Sequence, residues 1–329
     1  MQSHLPLYRA MAITGPTASG KTALSLAVAK HFDAEILSCD SMQIYRGMDV
    51  GTAKATAAER ALVPHHLIDI VDPGEDFSAS RFKDEAMRAA DEITRREKGL
   101  LFVGGTGLYL DTLCAYDLPE IPASDETHVK RIADRFSRDG EIDRDALWAH
   151  LYEIDPLSAE KTHKNNVRRV LRAIEIFEIS SKPKSELDRL SRERTGPFEI
   201  VELTLDAHNR ELLYRRIDMR VDIMLEDGLL EETQRLCADG LFANSSTAAQ
   251  AIGYKEMLDY LDGRATLAES VENLKRASRR YAKRQLTWFR SHENAHVLYI
   301  DDENGVLRTK DSITAEAIAF FENNYLQKG

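Results

Sequence analysis

The sequence predicts an α/β fold: a parallel sheet with helices on both faces, interrupted by a helical insertion. Three observations carry this expectation. Over the first 116 residues short apolar runs alternate with longer helical patterns, as strands joined by helical crossovers do. Between one such run and the next helical pattern stands Gly15-Pro16-Thr17-Ala18-Ser19-Gly20-Lys21-Thr22, a complete G-x-x-x-x-G-K-[ST] loop in the context that motif requires. The segment Asp117-Leu118-Pro119-Glu120-Ile121-Pro122 then breaks the alternation, and about seventy residues without a strand pattern follow.

In chain order, Ala10 to Thr14 reads as the first strand, and Lys21 to Phe32 continues the loop as a helix. Glu35 to Cys39, Leu67 to Val71 and Leu100 to Val103 read as the next three strands. Ala79 to Lys98 is a long amphipathic crossover, and Gly104-Gly105-Thr106-Gly107 follows the fourth strand at once. Helices are expected at Glu126 to Asp139, Asp143 to Ile154 and Asn166 to Ile179, ending in the polar stretch Ser180 to Thr195. Gly196-Pro197 punctuates, Phe198 to Leu205 resumes a strand, and the remainder is mostly helix with one further strand at Val297 to Ile300. The domain expectation is therefore a P-loop NTPase-like α/β core from 1–116 and 198–329 with C-terminal helices, and a helical insertion domain at 117–197. No internal repeat or low-complexity segment is present.

Composition bounds the function. The chain has 329 residues, 43% hydrophobic and 30% charged, enough for a substantial core. No run approaches the roughly 18 apolar residues of a membrane span, and Met1 to Leu7 lacks the pattern of a secretory signal, so a cytoplasmic protein is expected. Cys39, Cys114 and Cys237 are scattered, which speaks against structural zinc and a disulfide framework. A net charge of −11 argues weakly against a nucleic-acid partner, since such binding places Lys and Arg against phosphates. The distribution is nevertheless uneven.

The phosphate loop is the most specific signal. Its glycines let backbone N–H groups face inward, the following helix offers its positive end, Lys21 adds a mobile charge and the Thr22 hydroxyl can ligate magnesium. Asp40 closes the second strand, at the sheet edge where a general base would stand; a helix cap or an indirect magnesium partner are open alternatives. An ATPase normally carries a second apolar strand ending in a metal-binding Asp. Here Leu101-Phe102-Val103 ends in glycine, so the loop can hold phosphates without hydrolysing ATP. Thr106, flanked by glycines, offers a hydroxyl toward the same crevice or marks a plain turn.

Two basic segments contrast with the acidic whole. Lys161, Lys164, Arg168, Arg169 and Arg172 stand together without an acid on the insertion, and Lys275, Arg276, Arg279, Arg280, Lys283 and Arg284 recur at helical spacing. Gln285, Trp288, Phe289 and Arg290 follow, a mixture suited to phosphate contact and base stacking. A solvated face paired with Glu269 and Glu272 is the alternative. Arg216 and Arg220, one turn apart, either clamp a diphosphate from the side opposite the loop or pair with Asp218, Asp222 or Glu226.

Together these segments closely resemble the bacterial tRNA dimethylallyltransferase (tRNA isopentenyltransferase, IPP transferase) family, over nearly the whole chain. The resemblance is carried by Gly15 to Thr22, Asp40-Ser41-Met42-Gln43-Ile44-Tyr45 through Lys54, His65 to Asp69, Gly104 to Tyr109, Asn165 to Arg172, Gln250 to Glu256 and Lys283 to Arg290. It implies transfer of a dimethylallyl group from its diphosphate to N6 of the adenosine 3′ of the anticodon in tRNA, with the base extruded into the pocket. Gly15, Thr17, Ala18, Ser19, Gly20, Lys21 and Thr22 would then hold the isoprenoid diphosphate with Mg2+ on Thr22, and Arg216 and Arg220 are carried over beside them. Asp40 is implied as the base and Thr106 as a channel residue, with Lys21 in the catalytic set. Ser41, Met42 and Gln43 touch the flipped base, and Arg168, Arg169, Arg172, Gln250, Gly253, Lys255, Lys283, Arg284, Gln285, Trp288 and Arg290 fall in tRNA-contacting segments. The partners implied are the anticodon stem-loop and dimethylallyl diphosphate, with no membrane and a monomeric protein. No cysteine follows Cys237 in this sequence, which fits the bacterial form and not the eukaryotic members that often add a zinc-binding Cys/His tail. Two alternatives remain at this stage: a small-molecule kinase using the same loop and Asp40, and an adenylate isopentenyltransferase acting on free AMP or ATP, which the basic segments and the Gln250 to Lys255 motif disfavour.

Overall fold

The computed structural model describes residues 7–75, 77–114, 124–192, 196–242 and 247–326. Met1–Pro6 and the Asp117–Pro122 break lie outside them. By its packing the chain divides into two compact units, Pro6–Asp111 with Phe198–Gly329, and Thr112–Pro197.

In the larger unit six strands form one sheet: β1 (Tyr8–Thr14), β2 (Ala34–Ser38), β3 (His65–His66), β4 (Gly99–Val103), β5 (Phe198–Asp206) and β6 (His296–Tyr299). They are ordered β3-β2-β4-β1-β5-β6, and every neighbouring pair is parallel. Ala10, Met11, Ala12 and Ile13 are all fully buried, as a central strand covered on both faces must be. On one face Met11 and Ile13 join Leu24 and Val28 of the Lys21–His31 helix, with Leu203, Leu205, Ile217, Ala282 and Leu286. Against the other face lies the Ala79–Arg95 helix, which buries Phe82, Ala86, Ala89, Ala90 and Ile93 at helical spacing; Phe82 stacks on Tyr109. From β1 the chain crosses over to β2 on one side, and β5 pairs with β1 on the other. The strand order thus reverses at β1, and a crevice is expected outside its carboxyl end.

One expected strand is corrected. Leu67 to Val71 is not extended, because Leu67 and Asp69 adopt φ of 61° and 56°. The strand ends instead at His65–His66, and Val71 makes only an isolated bridge to Tyr45. At the kink Asp69 accepts hydrogen bonds from Lys54 and, at 2.8 Å, from Arg60, and an apolar run that contains one such paired acid mimics a strand. Other strand ends differ from expectation by one or two residues, β5 running on to Asp206 and β6 starting at His296.

The Thr112–Pro197 unit contains helices Glu126–Arg135, Arg144–Ile154, Pro156–Lys161, Val167–Ser180 and Lys184–Arg192. Asp125, Asp143 and Asp155 cap the first three through backbone N–H groups of their first turns. Its core gathers Ile132, Leu147, Leu151, Val170, Leu171 and Ile174. The first helix stops short of the expected Asp139, because Asp139-Gly140 takes positive φ at both residues and closes a two-residue hairpin, Ser137–Arg138 against Glu141–Ile142. The polar stretch after Ser180 holds a helix that its composition concealed. No helix among the described residues is long and apolar enough to cross a membrane.

Candidate active site

The carboxyl end of β1 runs directly into the phosphate loop. Gly15 adopts φ 129°, and a Cβ there would lie 2.5 Å from the carbonyl oxygen of Leu205, so only glycine permits the turn. Ala18 (φ 62°) and Gly20 (φ 101°) curl the loop further, and successive backbone N–H groups in such a curl form an anion cradle. The Lys21–His31 helix starts at Gly20 with no side-chain cap, which leaves its positive end open to a ligand. Lys21 folds back onto the loop, donating from Nζ to the carbonyls of Gly15 (2.9 Å) and Pro16 (2.7 Å). Burial, reinforced by the nearby Arg220 charge and only partly opposed by Asp40, pulls the Lys21 ammonium down to a pKa of about 7. Ser19 is buried, and its hydroxyl has no hydrogen-bond partner among the described residues.

Arg216 and Arg220 come from the Arg210–Glu226 helix, whose apolar face, Leu213, Ile217 and Val221, is buried. This turns the two arginines toward the loop rather than toward Asp218 or Asp222. Arg216 donates from Nε to the Ala18 carbonyl at 2.8 Å. Burial lowers the pKa of both guanidinium groups, and for Arg220 the charge of Asp40 acts in the opposite sense. Asp218 and Asp222 pair instead with Arg279 and Lys275, each at 2.6 Å.

Across from these cations stands Asp40, at the end of β2. Its Oδ1 accepts the Met42 N–H at 2.9 Å, which fixes the side chain. The Thr106 hydroxyl accepts the Ser41 N–H at 3.0 Å, tying the two strand ends together. Gln43 is held by Ser38 Oγ (2.8 Å) and donates to the Thr52 carbonyl (3.2 Å). The loop, Asp40 to Gln43, Arg216, Arg220, Gln250, Tyr281 and Arg284 line one cavity of about 700 Å³, a size suited to small substrates. Its wall also carries Met42, Val103, Ile217, Val221, Met224 and Ile252, an apolar surface beside the anion cradle.

The basic stripe on the Leu267–Phe289 helix is divided. Lys275 and Arg279 are paired as above, and Arg290, just past the helix, binds the buried Asp206 at 2.8 Å. Arg280, Lys283 and Arg284 are exposed and have no carboxylate partner among the described residues; Arg284 lies over the Tyr281 ring at 5.5 Å. Trp288 is 37% exposed and donates to Asp111 at 3.2 Å. Gln285 departs from expectation, being buried between two loops. In the Gln250 to Glu256 segment Gln250 lines the cavity and Lys255 is exposed, while Gly253 (φ 103°) starts a helix and donates its N–H to Glu256 at 2.8 Å.

Within the Thr112–Pro197 unit Arg168 and Arg169 are exposed. Arg172 is partly buried and pairs with Glu175, a fully buried carboxylate that also accepts the Asp125 N–H at 2.8 Å. An unpaired Glu175 would be costly there. Helical spacing put Arg172 on the stripe, and the inward-facing acid three residues later was the missed signal.

Sequence reasoning also missed Tyr281, Glu232 and Lys54. Burial, first of all, and the charge of Asp40 raise the Tyr281 pKa. Glu232 accepts backbone N–H groups from Asp49 and Val50 at 3.0 Å and from Gly51 at 3.2 Å. Lys54, almost wholly buried, donates to Asp49 at 2.8 Å and to Asp69. No group of three His, Cys, Asp or Glu side chains placed to hold a metal occurs among the described residues.

Comparison with known proteins places the chain in one family. The model of the IPP transferase family matches residues 43–292. The chain is similar to the tRNA dimethylallyltransferase of Shouchella clausii strain KSM-K16, 46% identical over 307 residues that cover 93% of this chain and 96% of the relative. To that of Acetivibrio thermocellus it is 45% identical, over 89% of this chain and 92% of the relative. Among solved structures it is similar to the full-length tRNA isopentenylpyrophosphate transferase of Bacillus halodurans, with a TM-score of 0.70, 42% identity and 97% of each chain covered. A eukaryotic dimethylallyltransferase acting on tRNA gives a TM-score of 0.80 at 31% identity, over 97% of this chain and 80% of that one.

Proposed function

The chain belongs to the IPP transferase family, and from that premise we propose the reaction of its site: transfer of a dimethylallyl group from dimethylallyl diphosphate to N6 of the adenosine 3′ of the anticodon in tRNA. One observation carries the reading. One cavity faces an anion cradle with Lys21, Arg216 and Arg220 toward the carboxylate of Asp40, with an apolar wall between, and glycine follows β4 where an ATPase would carry a second metal-binding acid.

The chemistry follows from charge development. As the allylic C–O bond breaks, its electron pair goes to the leaving diphosphate, and the loop N–H groups, Lys21, Arg216 and Arg220 stabilise that charge. As the N6–C bond forms, the amine proton passes to Asp40. The adenine amine is a weak nucleophile because its lone pair is delocalised, so a fixed acceptor helps. Thr106 and Ser41 hold the Asp40 strand end in register, and Met42, Val103 and Ile252 shelter the prenyl chain. Alignment of two bound reactants supplies much of the remaining rate. The adenosine must leave its stack to reach this depth, and Arg280, Lys283, Arg284 and Trp288 offer charge and a stacking surface to the RNA.

The donor set fits Mg2+ carried on the diphosphate: Thr22 supplies a hydroxyl lining the cavity, while no protein-only cage is present among the described residues. Bound there, the ion would neutralise diphosphate charge. On the same reading the protein works as a monomer in the cytoplasm.

The test is an incubation of purified protein with unmodified tRNA and dimethylallyl diphosphate, followed by nucleoside mass analysis. A mass gain of one dimethylallyl group on adenosine is expected. Phosphoryl transfer from ATP without prenylation, or prenylation of free AMP in preference to tRNA, would replace this reading.

A further inference from the structure

Gln285 joins the two loops between which the reactants must meet. It stands on the Leu267–Phe289 helix at a position buried with Ala282, Leu286 and Phe289, and only 5% of its surface is exposed. Its Oε1 accepts the Thr17 N–H at 2.9 Å, and its Nε2 donates to the Gly105 carbonyl at 2.9 Å. The amide orientation is dictated by these partners, because a backbone N–H admits only an acceptor and a carbonyl only a donor. Space is equally restricted: a Cβ on Gly105 would fall 2.0 Å from Nε2.

The two partners belong to opposite halves of the site. Thr17 lies in the anion cradle, and Gly105 precedes Thr106, which holds Ser41 beside Asp40. One side chain therefore sets the spacing between the leaving-group side and the base side. We propose that Gln285 is a positioning residue for prenyl transfer, fixing the phosphate loop against the Gly104–Gly107 turn, and not an RNA ligand. The inference rests on the reaction proposed above. In-line displacement is steep in alignment, so a loop shift of about 1 Å costs on the order of a hundredfold in rate. Glutamate at this position has the volume of glutamine and keeps the acceptor for Thr17, but turns a carboxylate oxygen toward the Gly105 carbonyl.

The experiment compares wild type with Gln285→Glu and Gln285→Ala by four readouts: calorimetric affinity for inorganic pyrophosphate, kcat and KM for dimethylallyl diphosphate at saturating tRNA, affinity for an unmodified anticodon stem-loop, and the thermal midpoint. In both variants kcat is expected to fall at least tenfold and pyrophosphate affinity several-fold, with stem-loop affinity within twofold of wild type. Should the alanine variant fold poorly, the isosteric glutamate variant decides. Wild-type kcat with only a lowered midpoint would overturn the proposal, as would lost stem-loop binding with kcat intact at saturating RNA. If the wild-type protein prenylates nothing, the assigned reaction fails instead, and the pyrophosphate measurement still tests the clamp.

Discussion

Tyr254 donates its hydroxyl to Glu232 at 2.6 Å with both side chains buried, and that carboxylate also receives the N–H groups of Asp49, Val50 and Gly51. Four donors converge on one acid. Gly51 and its neighbours Thr52 and Ala53 line the cavity, so this pair sets a wall of the site without touching the phosphate loop. Burial and the Glu232 charge push the Tyr254 pKa far up, which keeps the phenol a donor.

Tyr254→Phe deletes one hydrogen bond to a charged group and leaves the ring in place. A loss of about 1.5–3 kcal/mol is expected, read as a lower urea midpoint at unchanged m-value. Glu232→Gln should be worse, because its amide group presents donors to donors. A phenylalanine variant as stable as wild type would remove the network from the structural account.

Asp40→Ala is expected to lower single-turnover prenylation by about 10²–10⁴-fold, the usual weight of a general base. Stem-loop affinity, measured by filter binding, should stay within a few-fold. Retained turnover would exclude Asp40 as the proton acceptor.

Lys21 supplies a pH prediction. Its pKa is lowered to about 7 in the free protein, so the ammonium is lost as pH rises through that value. A bound diphosphate favours the charged form. Pyrophosphate affinity should therefore fall above about pH 7, and binding at pH 8 should take up a proton, visible by calorimetry in buffers of different ionisation enthalpy. Lys21→Met removes that contribution, and the difference between the two proteins cancels the titration of the ligand itself. Equal pH profiles would refute the assignment.

The stripe on the Leu267–Phe289 helix divides by pairing. Arg280→Ala combined with Arg284→Ala should weaken tRNA binding and reduce the slope of log affinity against log salt by about two, roughly one per lost phosphate contact. Arg279→Ala, whose guanidinium already serves Asp218 at 2.6 Å, should leave the slope unchanged. A salt titration of both variants separates the two outcomes.

What was legible in the sequence was local. The phosphate loop announces itself because backbone curl, helix start and Lys21 are fixed within eight residues, and β1 and β4 announce themselves because buried parallel strands carry continuous apolar runs. What was illegible depended on distant partners. The run from Leu67 to Val71 looked like a strand until Asp69 met Lys54 and Arg60. Gln285 read as part of an RNA-facing stripe, because only the fold shows which positions of that helix turn inward. Arg172 shared the spacing of Arg168 and Arg169, and its one local mark was Glu175, an acid whose burial only the fold shows.

The parallel register between β1 and β5 bears on how the polypeptide is made. Thr14 and Thr204 exchange a hydroxyl hydrogen bond across 190 positions of chain, so one flank of the innermost strand stays bare until the whole intervening stretch has been synthesised. Pairings of such long range form slowly, and a growing chain with a bare apolar strand is prone to self-association. Translation must run past Asp206 before the nascent polypeptide can close its sheet around the strand that launches the catalytic loop.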